Sequence, residues 1–136
     1  MKNSFLFRTT SLNTDLATLL IRFIIGGMFI YAGYLKIENY NTYMPMMQDY
    51  IGIGAKLSYD LVIFAEFGCG ILVTIGLFTR LAILPILFTM VVVFFIAHGK
   101  DAFMMKQLPF VYMLLCVPIF ILGSGKYSVD RLIFKK

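Results

Sequence analysis

Residues 61–97 read LVIFAEFGCGILVTIGLFTRLAILPILFTMVVVFFIA. Two apolar runs, Leu61–Phe78 and Leu81–Ala97, are parted only by Thr79-Arg80, with Gly76 just before. A membrane-spanning helix needs about 20 mostly apolar residues. Two such runs with so short a link must form an antiparallel hairpin. Glu66 is the one charged residue inside either run. A carboxylate has no long stem on which to reach the headgroups, so in a span it calls for a partner or a task.

Working outward, two more runs qualify, Leu16–Leu35 before the hairpin and Phe103–Leu122 after it. The expected fold is all-α: a transmembrane four-helix bundle forming one domain over residues 1–136. Composition agrees. Hydrophobic residues make up 60% of the 136, and the mean hydropathy is +0.88. Soluble domains are about 45–50% apolar, so the excess needs lipid cover. The first run follows Lys2 and Arg8 as a secretory signal would. It is interrupted by Arg22 and is longer than a signal's apolar core, so it reads as an uncleaved helix.

The connection Lys36–Asp60 mixes Tyr40, Tyr43, Met44, Met46, Met47 and Tyr50 with Asn39, Asn41, Gln48 and Asp49. Tyrosine favours headgroup depth. A short interfacial amphipathic helix between helices 1 and 2 is expected, then a turn at Gly52-Ile53-Gly54. Pro85 reads as first-turn and Pro118 as a kink inside the fourth helix.

An even number of spans puts both ends on one side. That side holds Lys2, Arg8, Arg80, Lys126, Arg131, Lys135 and Lys136, against Lys36, Lys56, Lys100 and Lys106. The excess of basic residues assigns the termini to the cytoplasm. The net charge of +5 suits anionic lipid headgroups, and no stripe for nucleic acid is present.

Candidate site residues are the polar groups that lipid tolerates poorly: Arg22, Lys36, Glu66, His98 and Gln107. Arg22, Gly26, Phe29, Gly33 and Lys36 are spaced by four, three, four and three, so they share one helix face. Its glycines permit close helix approach. Glu66, Cys69, Gly70 and Val73 share a face of the second helix. Matching the two faces buries Glu66. At 1.5 Å per residue, an Arg22–Glu66 pair has to bridge roughly 9 Å of depth. Arg22 and Lys36 also have the simpler reading of snorkelling to the headgroups. His98 can equally be a polar helix stop.

Other chemistries find little support. Cys69 and Cys116 are single, without a C-x-x-C pair. One His and one Glu on different helices do not make a metal site. No serine lies inside the four runs as bounded here, which removes a Ser-His-Asp arrangement. No redox centre or cofactor is encoded, so any electrons must come from a partner.

The tail reads Gly123-Ser124-Gly125-Lys126-Tyr127-Ser128-Val129-Asp130. Glycines end the fourth helix, and Ser128 can cap a short helix after it. With Leu20-Ile21-Arg22-Phe23-Ile24-Ile25-Gly26, Gly33-Tyr34-Leu35-Lys36, and Glu66 followed by Gly70, Gly76 and Thr79-Arg80, this closing motif resembles the DoxX family of small bacterial membrane proteins. The resemblance runs from Leu20 to Asp130. It implies a four-helix bundle in the bacterial cytoplasmic (inner) membrane. It also implies a link to quinone-coupled oxidoreductase complexes or to thiol and oxidative stress. Carried over by position, its suspects are Arg22, Lys36, Glu66 and His98. Gln107 stands where members often place a Glu, which leaves hydrogen bonding there but puts proton transfer in doubt.

Three functions follow as expectations. The first is an accessory subunit of a quinone-linked membrane redox system, with a buried polar site for a quinone or other lipophilic ligand. Phe29, Tyr31, Phe64 and Phe67 would wall that site, and a membrane or periplasmic redox protein would be its partner. The second is a non-catalytic scaffold or chaperone that uses the Tyr- and Met-rich outer loop. The third is a small transporter, which would have to be a homo-oligomer because four short helices enclose little space.

Overall fold

The computed structural model describes residues 5–135. The described residues form helices joined by turns and loops, and four of these helices are long and apolar enough to cross a membrane. These are α1 (Thr14–Glu38), α3 (Ala55–Ile75), α4 (Thr79–Ala97) and α5 (Phe103–Leu122). Two shorter helices, α2 (Tyr40–Tyr43) and α6 (Val129–Ile133), lie between α1 and α3 and after α5. Lys2 and Lys136, counted above for orientation, fall outside the described residues.

Helix α1 starts where Asn13 accepts a hydrogen bond from the Leu16 backbone N–H at 2.9 Å, with Asp15 in its first turn. Both features suit a helix N-terminus. The expected stripe is the buried face: Arg22, Gly26, Phe29 and Gly33 are all buried, with Thr18 and Ile25 beside them. It packs along α3, whose Glu66, Cys69, Gly70 and Val73 are buried in turn. The glycines set the spacing. A Cβ on Gly33 would lie 2.6 Å from the Phe67 backbone nitrogen, and one on Gly70 would lie 3.1 Å from that of Ile30. The core continues through Ile83, Ile86 and Met90 of α4 to Cys116 and Ile119 of α5. Exposed apolar side chains cover the outside, among them Leu20, Ile24, Leu81, Phe88, Leu114 and Ile121. Lipid is the solvent that suits such a surface.

The boundaries need four corrections. Helix α3 begins at Ala55, six residues before the expected start. Lys56 and Asp60 lower the hydropathy there, but both are exposed while Ser58 and Tyr59 are buried. An amphipathic turn is therefore helical although it is not uniformly apolar. Ser58 consequently lies inside a span, contrary to expectation. The α3–α4 link is Gly76-Leu77-Phe78, and Thr79 and Arg80 already belong to α4. That moves Pro85 from the first turn to the second.

Between α1 and α3 the expected interfacial helix is present but short. α2 runs into a single 3₁₀ turn, Met44–Met46. The turn at Gly52–Gly54 takes positive φ at both glycines, 78° and 99°, a conformation open to residues without a Cβ. Asp49 Oδ1 holds it by accepting from the Gly52 and Ile53 N–H groups at 2.9 and 3.0 Å.

The tail returns to the bundle. Ser128 Oγ caps α6 by accepting from the Arg131 N–H at 3.3 Å. Asp130 Oδ1 accepts from the Phe78 N–H at 2.9 Å, and the Asp130 N–H donates to Gly76 O at 3.0 Å. A carboxylate from the tail thus caps the start of α4, where the helix dipole favours negative charge. Arg80 donates to the last carbonyls of α5, Phe120 O at 3.0 Å and Ile121 O at 3.2 Å.

Candidate functional site

Lys36 closes α1 in its last turn, and Glu66 sits where α3 relaxes into a π-helical turn over Phe64–Gly68. Widened turns of this kind re-aim side chains and recur at functional sites. Here Glu66 points at α1. Lys36 Nζ donates to Glu66 Oε2 at 2.6 Å. The two side chains differ in access, with Lys36 29% exposed and Glu66 only 7%. The carboxylate is therefore shielded by protein, and the ammonium marks the side from which it can be approached.

The pair stands in the wall of a cavity of about 530 Å³. Phe64, Val62 and Ala65 of α3 face Phe88, Val92 and Val93 of α4 across it. Met47, Tyr50 and Ile51 from the connecting loop lie over one end. Two of the α4 lining residues, Val93 and Ala97, belong to a second π-helical turn, Val93–Ala97. The lining is almost wholly apolar apart from Lys36, Glu66, Ser58, Tyr59 and Thr89. Tyr59 O–H donates to Lys36 O at 3.2 Å, and its ring meets Tyr40 edge-on at 5.3 Å. Tyr40 O–H donates to Asp60 Oδ1 at 2.7 Å. This hydrogen bond and the charge of Asp60 raise the Tyr40 hydroxyl above the ordinary tyrosine range. Together these contacts fasten α2 and the loop to the top of α3. Ser58 Oγ is buried in the same wall and has no hydrogen-bond partner among the described residues.

Of the expected site residues, the structure brings Lys36 and Glu66 together and separates the rest. Arg22 does not pair with Glu66. Its fully buried guanidinium donates to Tyr127 O, and at 3.5 Å to Thr74 O, at the end of the bundle that carries the tail. The depth gap between Arg22 and Glu66 is left unbridged because each finds a closer companion. His98 ends α4 with Nδ1 2.7 Å from Asp101 Oδ2 and is not part of the cavity lining. Gln107 is exposed on α5. Among the expected aromatic walls only Phe64 lines the cavity. Phe29 is core, its ring tilted against that of Tyr112 at 5.0 Å, Phe67 packs on Gly33, and Tyr31 is 61% exposed.

Sequence reasoning missed Ser58 and Tyr59 because that turn read as loop. A signal existed. Tyr59, Val62 and Glu66 are spaced by three and four, the period of one helix face.

The site therefore offers one cation, one shielded carboxylate and a free hydroxyl at the edge of an apolar chamber. An ammonium has three donors, and Glu66 is the only acceptor engaging that of Lys36 among the described residues. A ligand carbonyl could take another.

Comparison with known proteins gives a consistent relationship. Residues 17–99 match the family model described as DoxX. The chain is also 34% identical over 130 residues to inner membrane protein YqjF of Escherichia coli (strain K12), covering 90% of this chain and 95% of that protein. No solved structure matches it.

Proposed function

The chain belongs to the DoxX family, and from that premise we propose that it binds a lipophilic carbonyl compound of the quinone class as an accessory subunit of a membrane redox system. The observation that carries the reading is the Lys36–Glu66 pair, 2.6 Å apart, in the wall of an otherwise apolar cavity. A quinone is an apolar ring with carbonyl acceptors at opposite edges. Phe64, Phe88 and Val92 fit the ring and any apolar tail, and Lys36 and Ser58 supply donors for one carbonyl. The orphaned Ser58 hydroxyl favours a ligand acceptor over a purely hydrocarbon guest, since buried donors are normally satisfied.

In this reading Lys36 orients the head group through a charge-assisted hydrogen bond. Glu66 holds Lys36 in place and can accept or return a proton at Oε2 when the bound head group changes charge. The aromatic and aliphatic walls exclude water. Redox chemistry at the quinone would supply the electron transfer, with electrons from a partner protein.

The relative's name places that protein in an inner membrane, and we take the same location for this chain. The basic residues gathered at the tail-bearing end argue that both termini face the cytoplasm. The deciding experiment is binding of a short-chain quinone to purified protein, with Glu66→Gln alongside.

A further inference from the structure

At the end of the bundle opposite the Lys36–Glu66 cavity, the start of α4, the end of α5 and the tail enclose a second cleft. It is lined by Arg80, Lys126 and Arg131, with Asp15, Asp130 and Thr79 in its walls. The charges do not cancel. Asp130 accepts a hydrogen bond from the Phe78 N–H. Two carboxylates, Asp15 and Asp130, face three cations, which leaves one positive charge in excess among the lining side chains. The backbone geometry adds to this, since the cleft borders the positive end of the α4 dipole. Thr79 is 1% exposed, and its Oγ1 has no partner among the described residues. A buried hydroxyl donor without a protein acceptor, in a wall shared with three cations, suits an anionic ligand.

The rim identifies which anion. Leu81 is 67% exposed, Phe134 58% and Leu122 40%, all on the cleft's border. A cleft for a free solute anion has no use for such a margin. A phosphodiester attached to acyl chains does, because the phosphate can sit among the cations while the chains run down α4 and α5. We infer that this cleft binds the phosphate of an anionic phospholipid, held by Lys126 and Arg131 with Arg80 behind them. Arg80 also caps α5, so an occupied cleft ties the lipid to the α4–α5 packing and to the docked tail.

The test is native mass spectrometry of the purified full chain, reconstituted with equal phosphatidylglycerol and phosphatidylcholine. The wild type should retain phosphatidylglycerol selectively. K126Q/R131Q should lower that retention about 30-fold, each basic group near the surface being worth about fivefold, with an unchanged melting temperature in neutral detergent. K100Q/K106Q, which removes cations from the other end, should leave it intact. Retention of both lipids alike, or undiminished selectivity in K126Q/R131Q, overturns the inference. So does displacement of phosphatidylglycerol by millimolar inorganic phosphate, which would make the site one for a soluble anion.

Discussion

Arg22 and Tyr127 stand 105 positions apart in the chain, and the buried guanidinium of the first donates to the backbone carbonyl of the second. This contact fastens the tail to α1. It also gives the arginine in the first span a partner other than Glu66. Thr74 O accepts from the same guanidinium at 3.5 Å, while Arg22 Nε has no partner among the described residues.

Arg22→Met keeps the bulk of that side chain and removes its donors. Two carbonyls, Thr74 O and Tyr127 O, are then left without that donor. We expect a loss of about 3 kcal/mol, as for breaking charged hydrogen bonds in a buried site. Reversible unfolding in mixed detergent measures it. Deleting the chain from Tyr127 onward should reproduce most of the loss, and the two changes should not add, because they break one interaction. Full additivity would dissolve the link.

The glycines of α1 make a sharper comparison. A Cβ at Gly33 would lie 2.6 Å from the Phe67 backbone nitrogen, whereas at Gly27 it meets nothing within 4 Å. Gly33→Ala should therefore cost about 1–3 kcal/mol through overpacking. Gly27→Ala should be neutral or slightly stabilising, since alanine favours helix. Equal effects in the same unfolding assay would mean that α1 and α3 are not in this register.

These two faces were also the most legible part of the sequence. Glycines and charges repeating every three or four residues locate a helix contact without any knowledge of the partner. The pairing of Lys36 with Glu66 was less legible. Both stand among the polar residues that lipid tolerates poorly, but the π-helical turn that aims Glu66 has no marker in FAEFG. The first turn of α3 was misread because Lys56 and Asp60 dilute the hydropathy that marks a span. The docking of Tyr127 and Asp130 on Arg22 and the Gly76–Phe78 link was invisible. Contacts over such separations leave no local pattern.

Tyr40 outside the spans provides a pH prediction. Its hydroxyl donates to Asp60 at 2.7 Å, which raises its ionisation above the ordinary tyrosine range. The folded state holds this proton more tightly than the unfolded one. The contribution is therefore complete below the ordinary tyrosine pKa and disappears as pH rises through the raised value. NMR titration of ring-labelled tyrosine should show Tyr40 ionising above the ordinary tyrosine range. Asp60→Asn should bring it back toward the usual range. An unshifted Tyr40 would mean that the loop is not fastened to α3 in this way.

The most direct measurement is the dissociation constant of a short-chain ubiquinone analogue for the purified protein, by calorimetry in detergent. The wild type should bind. Val92→Phe, which fills the chamber, and Glu66→Gln, which frees Lys36 from its carboxylate, should each weaken binding about tenfold or more, the loss of one good contact. Melting temperatures should stay within a few degrees. Absence of binding by the wild type, or wild-type affinity retained in both variants, would contradict the assignment of the Lys36–Glu66 cavity as the ligand site.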